Sequence, residues 1–313
     1  HIGGALVLAT VVGLVNYDIV ARNLFSLPFL GIEEIVSLGI PIIVFLATPM
    51  QVLSRSLIST DFLVTRSTRI IRLGLYSYSE YFTLLISGIV FLSVVPLFNY
   101  AIKNDQFIGV VGVFTMTLWP LKLAILIGFG LAFVASLFHI GRLICSNRSS
   151  SFLVSFCLFI ATPIPFYVLS GSASIGLGAI FLLFLLLLAG VPVVFSLMTA
   201  ASVGIAVMKG DFLVAANSLG LVVNSAATSY VLAAVPFFIL MGLVVGKANI
   251  GRDSLTVAHW LFRSVKGGFG VATVAANTVF AAITGISIAS AAIFSRVAAP
   301  PMIELGFTAR FSL

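Results

Sequence analysis

Long apolar runs, separated by short segments that hold most of the charged residues, are the dominant pattern of the chain. A helix of about 20 apolar residues spans the hydrocarbon core of a bilayer. Because lipid offers no hydrogen-bond partners, such a run must satisfy its backbone internally, which favours an α-helix. The first half of the sequence therefore predicts four membrane-spanning helices, at residues 2–22, 35–53, 81–101 and 119–141.

The second half is less regular. One apolar run covers 152–169, and another lies at about 231–246. Between them, 175–208 is too long for one ordinary span and is interrupted at Gly190-Val191-Pro192, so we read it as two short helices that meet near Pro192. Residues 252–266 carry apolar side chains at helical spacing among charged ones, which predicts an amphipathic helix along the membrane surface.

The apolar run 269–303 contains Thr284-Gly285-Ile286-Ser287 near its middle. Two structures fit this pattern. The run could form a re-entrant hairpin of two half-helices, or one kinked span whose small residues pack against a neighbouring helix. A break at membrane depth would expose carbonyl groups and helix termini, which can hold a cation or an anionic ligand.

Composition narrows the class of protein. Of the 313 residues, 61% are hydrophobic and only 8% are charged, against about 25% charged in a soluble domain. We therefore expect an all-α polytopic membrane protein. The net charge of +7 comes largely from basic residues in short segments such as 54–79 and 142–150. This distribution is typical of topology determinants rather than of nucleic-acid binding, and it predicts a cytoplasmic N-terminus.

Two separated regions carry motifs. Residues 16–34 contain an Arg–aromatic stretch, a proline and paired acids, and residues 234–292 contain Pro236-Phe237-Phe238, Gly267-Gly268 and a small-residue stretch that ends at Ala292. The first region resembles the small (DctQ-like) subunit of the tripartite ATP-independent periplasmic (TRAP) transporters. The second region is similar, over all of residues 234–292, to the large (DctM-like) subunit of the same family.

The order of the two resemblances implies a fused protein. Residues 1–150 would form a four-helix small-subunit scaffold, 151–171 a linking helix, and 172–313 the N-terminal part of the large subunit, with the amphipathic helix 252–266 and the hairpin 269–303. The large subunit of this family is built from two inverted repeats and works by an elevator motion. Because the sequence starts at His1 and stops at Leu313, we read it as truncated after the first hairpin.

The resemblance also implies a function. We expect a membrane component of a sodium-coupled secondary transporter in a bacterial inner membrane, which imports organic anions such as carboxylic or sugar acids. A periplasmic binding protein would deliver the solute, and sodium would be the only bound ion, with no cofactor. The spans lack the intramembrane acid or Ser–His pairs of an enzyme. The alternative is a non-transporting membrane scaffold or assembly subunit.

Three groups of residues are candidates for the site. Hydroxyl, carbonyl and amide oxygens suit sodium, a hard cation, although the hydroxyls could instead bond to carbonyls of their own helix. Arg296 could face an anionic substrate or extend to the cytoplasmic surface. The acids near the outer side could stabilise a helix N-terminus or lie near the docking surface. The candidates are Thr284, Gly285, Ser287 and Asn277 for sodium, Ser290 and Arg296 for substrate, and Arg22, Glu33 and Glu34 for the scaffold or docking.

Overall fold

The computed structural model packs as two compact units, residues 1–229 and 230–313. The residues that the structure describes are 2–27, 31–60, 62–110, 114–145, 155, 159, 162, 175–229, 241, 244, 248, 250–265, 267–284, 287–304 and 307–308.

In the first unit, four long helices follow the four predicted spans. They are α1 (Ile2–Phe25), α2 (Ile32–Leu53), α4 (Arg69–Lys103) and α5 (Trp119–Cys145), with a short α3 (Phe62–Arg66) before α4. Helix α5 packs against both α2 and α4, and the core includes Ile86, Val90 and Ile125, all fully buried.

The prediction of an all-α polytopic membrane protein is confirmed. Among the described residues, three helical segments are long and apolar enough to cross a bilayer, namely Glu34–Leu53, Ile71–Lys103 and Trp119–Arg142. Helix α4 begins at Arg69 rather than at 81. Its first turns carry polar side chains such as Glu80, so the apolar pattern marks only the part of the helix that suits lipid.

A short β-hairpin between α4 and α5 was not predicted. Strand β1 (Phe107–Val110) pairs antiparallel with β2 (Phe114–Thr117), and the aromatic and β-branched residues of both strands favour this conformation. The hairpin lies at the start of α2, because the Phe114 ring fills the space beside Gly31. Lys122 is buried in the first turn of α5 and donates to the Leu97 carbonyl oxygen at 3.1 Å and to Gln106 Oε1 at 2.6 Å.

The first unit continues with three shorter helices, α6 (Ile175–Leu188), α7 (Val193–Lys209) and α8 (Phe212–Ala227). The break between α6 and α7 falls at the predicted place. Gly190 has a φ of +84°, a left-handed conformation that glycine adopts without strain. Pro192 follows it immediately before α7, where its missing N–H is not needed.

Helix α8 was not predicted, because Asn217, Ser218 and Asn224 interrupt its apolar pattern. It forms against α4, where Gly220 allows the two backbones to approach and the Ser93 hydroxyl donates to the Ala216 carbonyl oxygen at 2.8 Å. Asp211 accepts from the Leu213 N–H at 2.7 Å and caps the helix.

The second unit contains α9 (Ile250–Leu261), α10 (Gly268–Thr284) and α11 (Ser287–Glu304). Helix α9 covers most of the predicted amphipathic segment 252–266, but it ends at Leu261 in a turn that leads to Gly268. It buries Leu255 and exposes Val257 and Trp260, as an interfacial helix does.

Two predicted spans lie almost wholly outside the described residues. These are 152–169 and 231–246, of which the structure describes only Ser155, Phe159, Thr162, Met241 and Val244. The domain boundaries at 150 and 171 therefore stay predictions.

Close packing at Gly220 gives a test of the α4–α8 contact. A Cβ at this position would lie 2.7 Å from Ser93 Cβ and 3.0 Å from the Ser93 carbonyl oxygen. Gly220→Ala should therefore lower the free energy of unfolding by about 1–3 kcal/mol, measured by thermal unfolding in detergent. The control is Gly176→Ala, because a Cβ there meets nothing within 4 Å. Equal stability of the two variants would contradict the observed contact.

Candidate functional site

The predicted break in the run 269–303 lies between two helices of the second unit. Helix α10 ends at Thr284 and α11 begins at Ser287. The two helices pack on each other, and the rings of Phe280 and Phe294 meet edge to face with their centres 5.5 Å apart. Such a contact holds two consecutive helices together on either side of 285–286. The re-entrant position of this pair in a bilayer stays a prediction.

Asn277 is the sodium candidate whose side chain the structure describes. Its Oδ1 is buried and has no hydrogen-bond partner in the described part of the chain. A buried amide oxygen without a partner loses the hydration that it has in water, so it is expected to bind water or an ion. Asn277 and Thr284 are seven residues apart on α10, which places both positions on one face of the helix.

For the other candidates near the break, the structure describes at most the position on a helix. The structure gives Thr284, Ser287, Ser290 and Arg296 as positions on α10 and α11, while their side chains and all of Gly285 lie outside the described residues. Two nearby hydroxyls show the alternative to ion binding. Those of Thr273 and Thr278 donate to the carbonyl oxygens of Phe269 and Val274 on their own helix.

The candidates in the first unit have separate surroundings. Arg22 Nη2 forms an ion pair at 2.9 Å with Asp18, a buried carboxylate one turn earlier on α1. Glu34 lies beside β1, where its Oε1 is 3.3 Å from the place that a Cβ of Gly109 would occupy. The side chain of Glu33 lies outside the described residues. The sequence reading did not identify Asp18 as the partner of Arg22.

A cluster of ionisable groups at the other end of α2 was also missed. Glu80 on α4 is 6% exposed, and its Oε1 lies 3.2 Å from Arg55 Nε and 2.9 Å from His139 Nδ1. The signal was an acid at the edge of an apolar run, which is costly to bury and usually has a paired cation. The sequence predicts only a topology determinant for the segment 54–79, which contains Arg55.

This cluster lies beside a junction between early and late parts of the chain. The Val193 N–H at the start of α7 donates to the Ile58 carbonyl oxygen at 3.0 Å. The Thr60 hydroxyl donates to the Leu187 carbonyl oxygen near the end of α6. Val64 fills the space beside Gly190, so Ile58, Thr60 and Val64 all contact the break between α6 and α7. A cavity of about 350 Å³ borders Arg55, Glu80 and Pro192.

Three helical segments of membrane-spanning length among the described residues, together with a charged fraction of only 8%, define a multi-pass membrane protein. Two family models match it in the order that the motifs predict. The model described as "Tripartite ATP-independent periplasmic transporters, DctQ component" matches residues 11–146. The model described as "Tripartite ATP-independent periplasmic transporter, DctM component" matches residues 180–313.

Curated relatives agree with both models. The isethionate TRAP transporter permease protein DctMQ of Oleidesulfovibrio alaskensis is 32% identical over 133 residues, which are 41% of this chain and 20% of that protein. The C4-dicarboxylate TRAP transporter large permease protein DctM of Pseudomonas aeruginosa is 31% identical over 95 residues, 30% of this chain and 22% of that protein. A Salmonella typhimurium protein, YgiK, is 28% identical over 149 residues, 47% of this chain and 32% of its own length.

The chain belongs to the TRAP transporter family and joins a small-subunit segment to a large-subunit segment. The recognition made from the motifs is thus confirmed. Members of this family are transporters rather than enzymes, so the prediction that the chain is not an enzyme is also confirmed. The chain spans between a fifth and a third of the length of the three relatives above.

Proposed function

We propose that the chain is a membrane component of a sodium-coupled secondary transporter, which takes up organic anions delivered by a periplasmic binding protein. The observation that carries this proposal is the joining of DctQ-like and DctM-like segments in one packed unit. Helices α7 and α8, which belong to the DctM match, pack on α4 of the DctQ match. A rigid body of this kind suits the scaffold of an elevator, against which another part of the transporter moves.

The proposed class of solute rests on the names of two relatives. They are named for isethionate and for C4-dicarboxylates, both of which are organic anions. We propose that this chain serves the same broad class, with carboxylic or sugar acids as its first candidates. Ser290 and Arg296, on the helix that follows the break, are the residues we assign to the substrate.

Coupling to sodium is argued from Asn277. The ion prefers oxygen ligands, and an amide oxygen provides one without adding a buried charge. A helix end adds free carbonyl groups, and α10 ends two turns after Asn277. We propose that Thr284, Gly285 and Ser287 contribute oxygens to a sodium site at this break, with Asn277, two turns earlier, as the outer candidate.

The arrangement of charges supports a cytoplasmic N-terminus in a bacterial inner membrane. Helix α2 has 22 residues, about 33 Å of rise, so Gly31 and Arg55 lie at opposite ends of it. Arg55 and His139 of α5 lie together at one end of α2, and both are close in sequence to the basic segments 54–79 and 142–150. The β-hairpin and Glu34 share the other end, so we propose that the binding protein docks there, near Arg22, Glu33 and Glu34.

Uptake by the complete transporter in proteoliposomes tests the proposed function. Labelled isethionate and C4-dicarboxylates would be offered with the purified binding protein, with and without an inward sodium gradient. Uptake should require both the binding protein and the gradient. The contrary result is that the binding protein docks on the complete transporter and yet no solute that it binds is taken up. This result would contradict transport and favour a non-transporting scaffold.

A matched pair of asparagines tests the sodium site. Asn277→Leu keeps the side-chain volume and removes the amide oxygen, so the sodium concentration for half-maximal uptake should rise about tenfold, a loss of about 1.4 kcal/mol. The control is Asn224→Leu on α8, because Asn224 Oδ1 is also buried without a partner among the described residues but lies outside the hairpin. The same sodium dependence in the two variants would remove Asn277 from the site.

A further inference from the structure

One carboxylate oxygen of Glu80, Oε1, contacts both Arg55 and His139. Arg55 Nε and His139 Nδ1 both lie within 3.2 Å of Oε1, at a residue that is almost fully buried. A buried carboxylate persists only when cations or donors replace its lost hydration. The pairing joins the loop after α2 to α4 and α5, three elements that are far apart in sequence.

Arg55 occupies the left-handed position of the cap that ends α2. It is the second residue after Leu53, and its φ is +51°, in the region where glycine is normally found. The Arg55 N–H donates to the Val52 carbonyl oxygen at 3.2 Å, and the Ser56 N–H donates to the Gln51 carbonyl oxygen at 3.1 Å. A glycine would be unstrained there but could not reach Glu80. The Arg55 guanidinium also lies 5.4 Å from the centre of the Tyr76 ring, so α4 holds it at two points.

The residues that follow Arg55 make the junction with the DctM-like segment. Ile58 and Thr60 bond to the ends of α7 and α6, and Val64 of α3 packs against Gly190. Any movement of Arg55 therefore changes the path of the chain only a few residues before these contacts.

We infer that Glu80 is a positioning residue of the junction between the DctQ-like and DctM-like segments. By holding Arg55 and His139, it fixes residues 55–60 in the path that places Ile58, Thr60 and Val64 on the α6–α7 break. This role concerns the assembly of the two segments, and it does not depend on which solute or ion is transported.

Cysteine labelling of the purified chain tests the inference. In a background with Cys145→Ser and Cys157→Ser, Val64→Cys is the reporter, because Val64 is 3% exposed and lies against Gly190. Glu80→Ala should raise its rate of reaction with a water-soluble maleimide about tenfold, because the junction opens more often. A second reporter, Ala215→Cys, is fully buried on α8 in the same unit and should keep its rate.

Two comparisons separate positioning from general loosening. Asp18→Asn removes another buried carboxylate that is paired with an arginine, and it should leave the Val64→Cys rate unchanged. Arg55→Gly removes the guanidinium but relieves the left-handed backbone, and it should still raise the rate. A rate at the parent's level in Arg55→Gly would mean that backbone bonds alone hold the loop, and this would overturn the inference.

The labelling rates in the Glu80→Ala variant can also overturn the inference. An unchanged Val64→Cys rate, or an equal rise at Val64→Cys and Ala215→Cys, would contradict a local positioning role. If Glu80→Ala fails to fold, Arg55→Gln replaces it, because Arg55 is partly exposed and this variant leaves the Glu80–His139 contact intact. Faster labelling of Val64→Cys in that variant would support the inference, and an unchanged rate would overturn it.

Discussion

Backbone groups freed where a membrane helix ends must find partners within the protein, and this requirement governs the structure around Gly190–Pro192. The break leaves unbonded groups at the end of α6 and the start of α7. The turn supplies some of the partners, since the Gly190 N–H donates to the Leu187 carbonyl oxygen at 3.0 Å. Residues 58–60 add two more bonds, in which Ile58 accepts from Val193 and Thr60 donates to Leu187. The small-subunit segment thus contributes hydrogen bonds to the break in the large-subunit segment.

Buried charged side chains also find their partners within the protein. Glu80 binds Arg55 and His139, Asp18 binds Arg22, and Lys122 donates to a carbonyl and to an amide oxygen. Each of these contacts lies near an end of α1, α2, α4 or α5, and two of them join elements that are distant in sequence. The buried ionisable groups of these helices are therefore compensated within the protein, as buried charges must be.

How far the sequence predicts this fold depends on the origin of each signal. The long helices and the break at Pro192 follow from lipid thickness and proline chemistry, so they were visible in the pattern. Helix α8 and the β-hairpin depend on packing at Gly220 and Gly31, and no local pattern reports such contacts. For the site, the position of the helix break was predictable. The unpartnered oxygen of Asn277 and the Glu80 cluster required the spatial neighbours of each residue.

The proposed function has one central claim, that the DctQ-like helices and the first DctM-like helices, which pack in one compact unit, also move as one body. Pulsed electron spin resonance on the complete transporter tests it directly, with spin labels at the exposed positions Leu131 on α5 and Leu221 on α8. The account predicts one distance for this pair, unchanged by sodium, solute and binding protein, whereas a pair at Leu131 and Val274 on α10 changes its distance distribution during the cycle. A shift of the first pair when sodium and solute are added would contradict the claim.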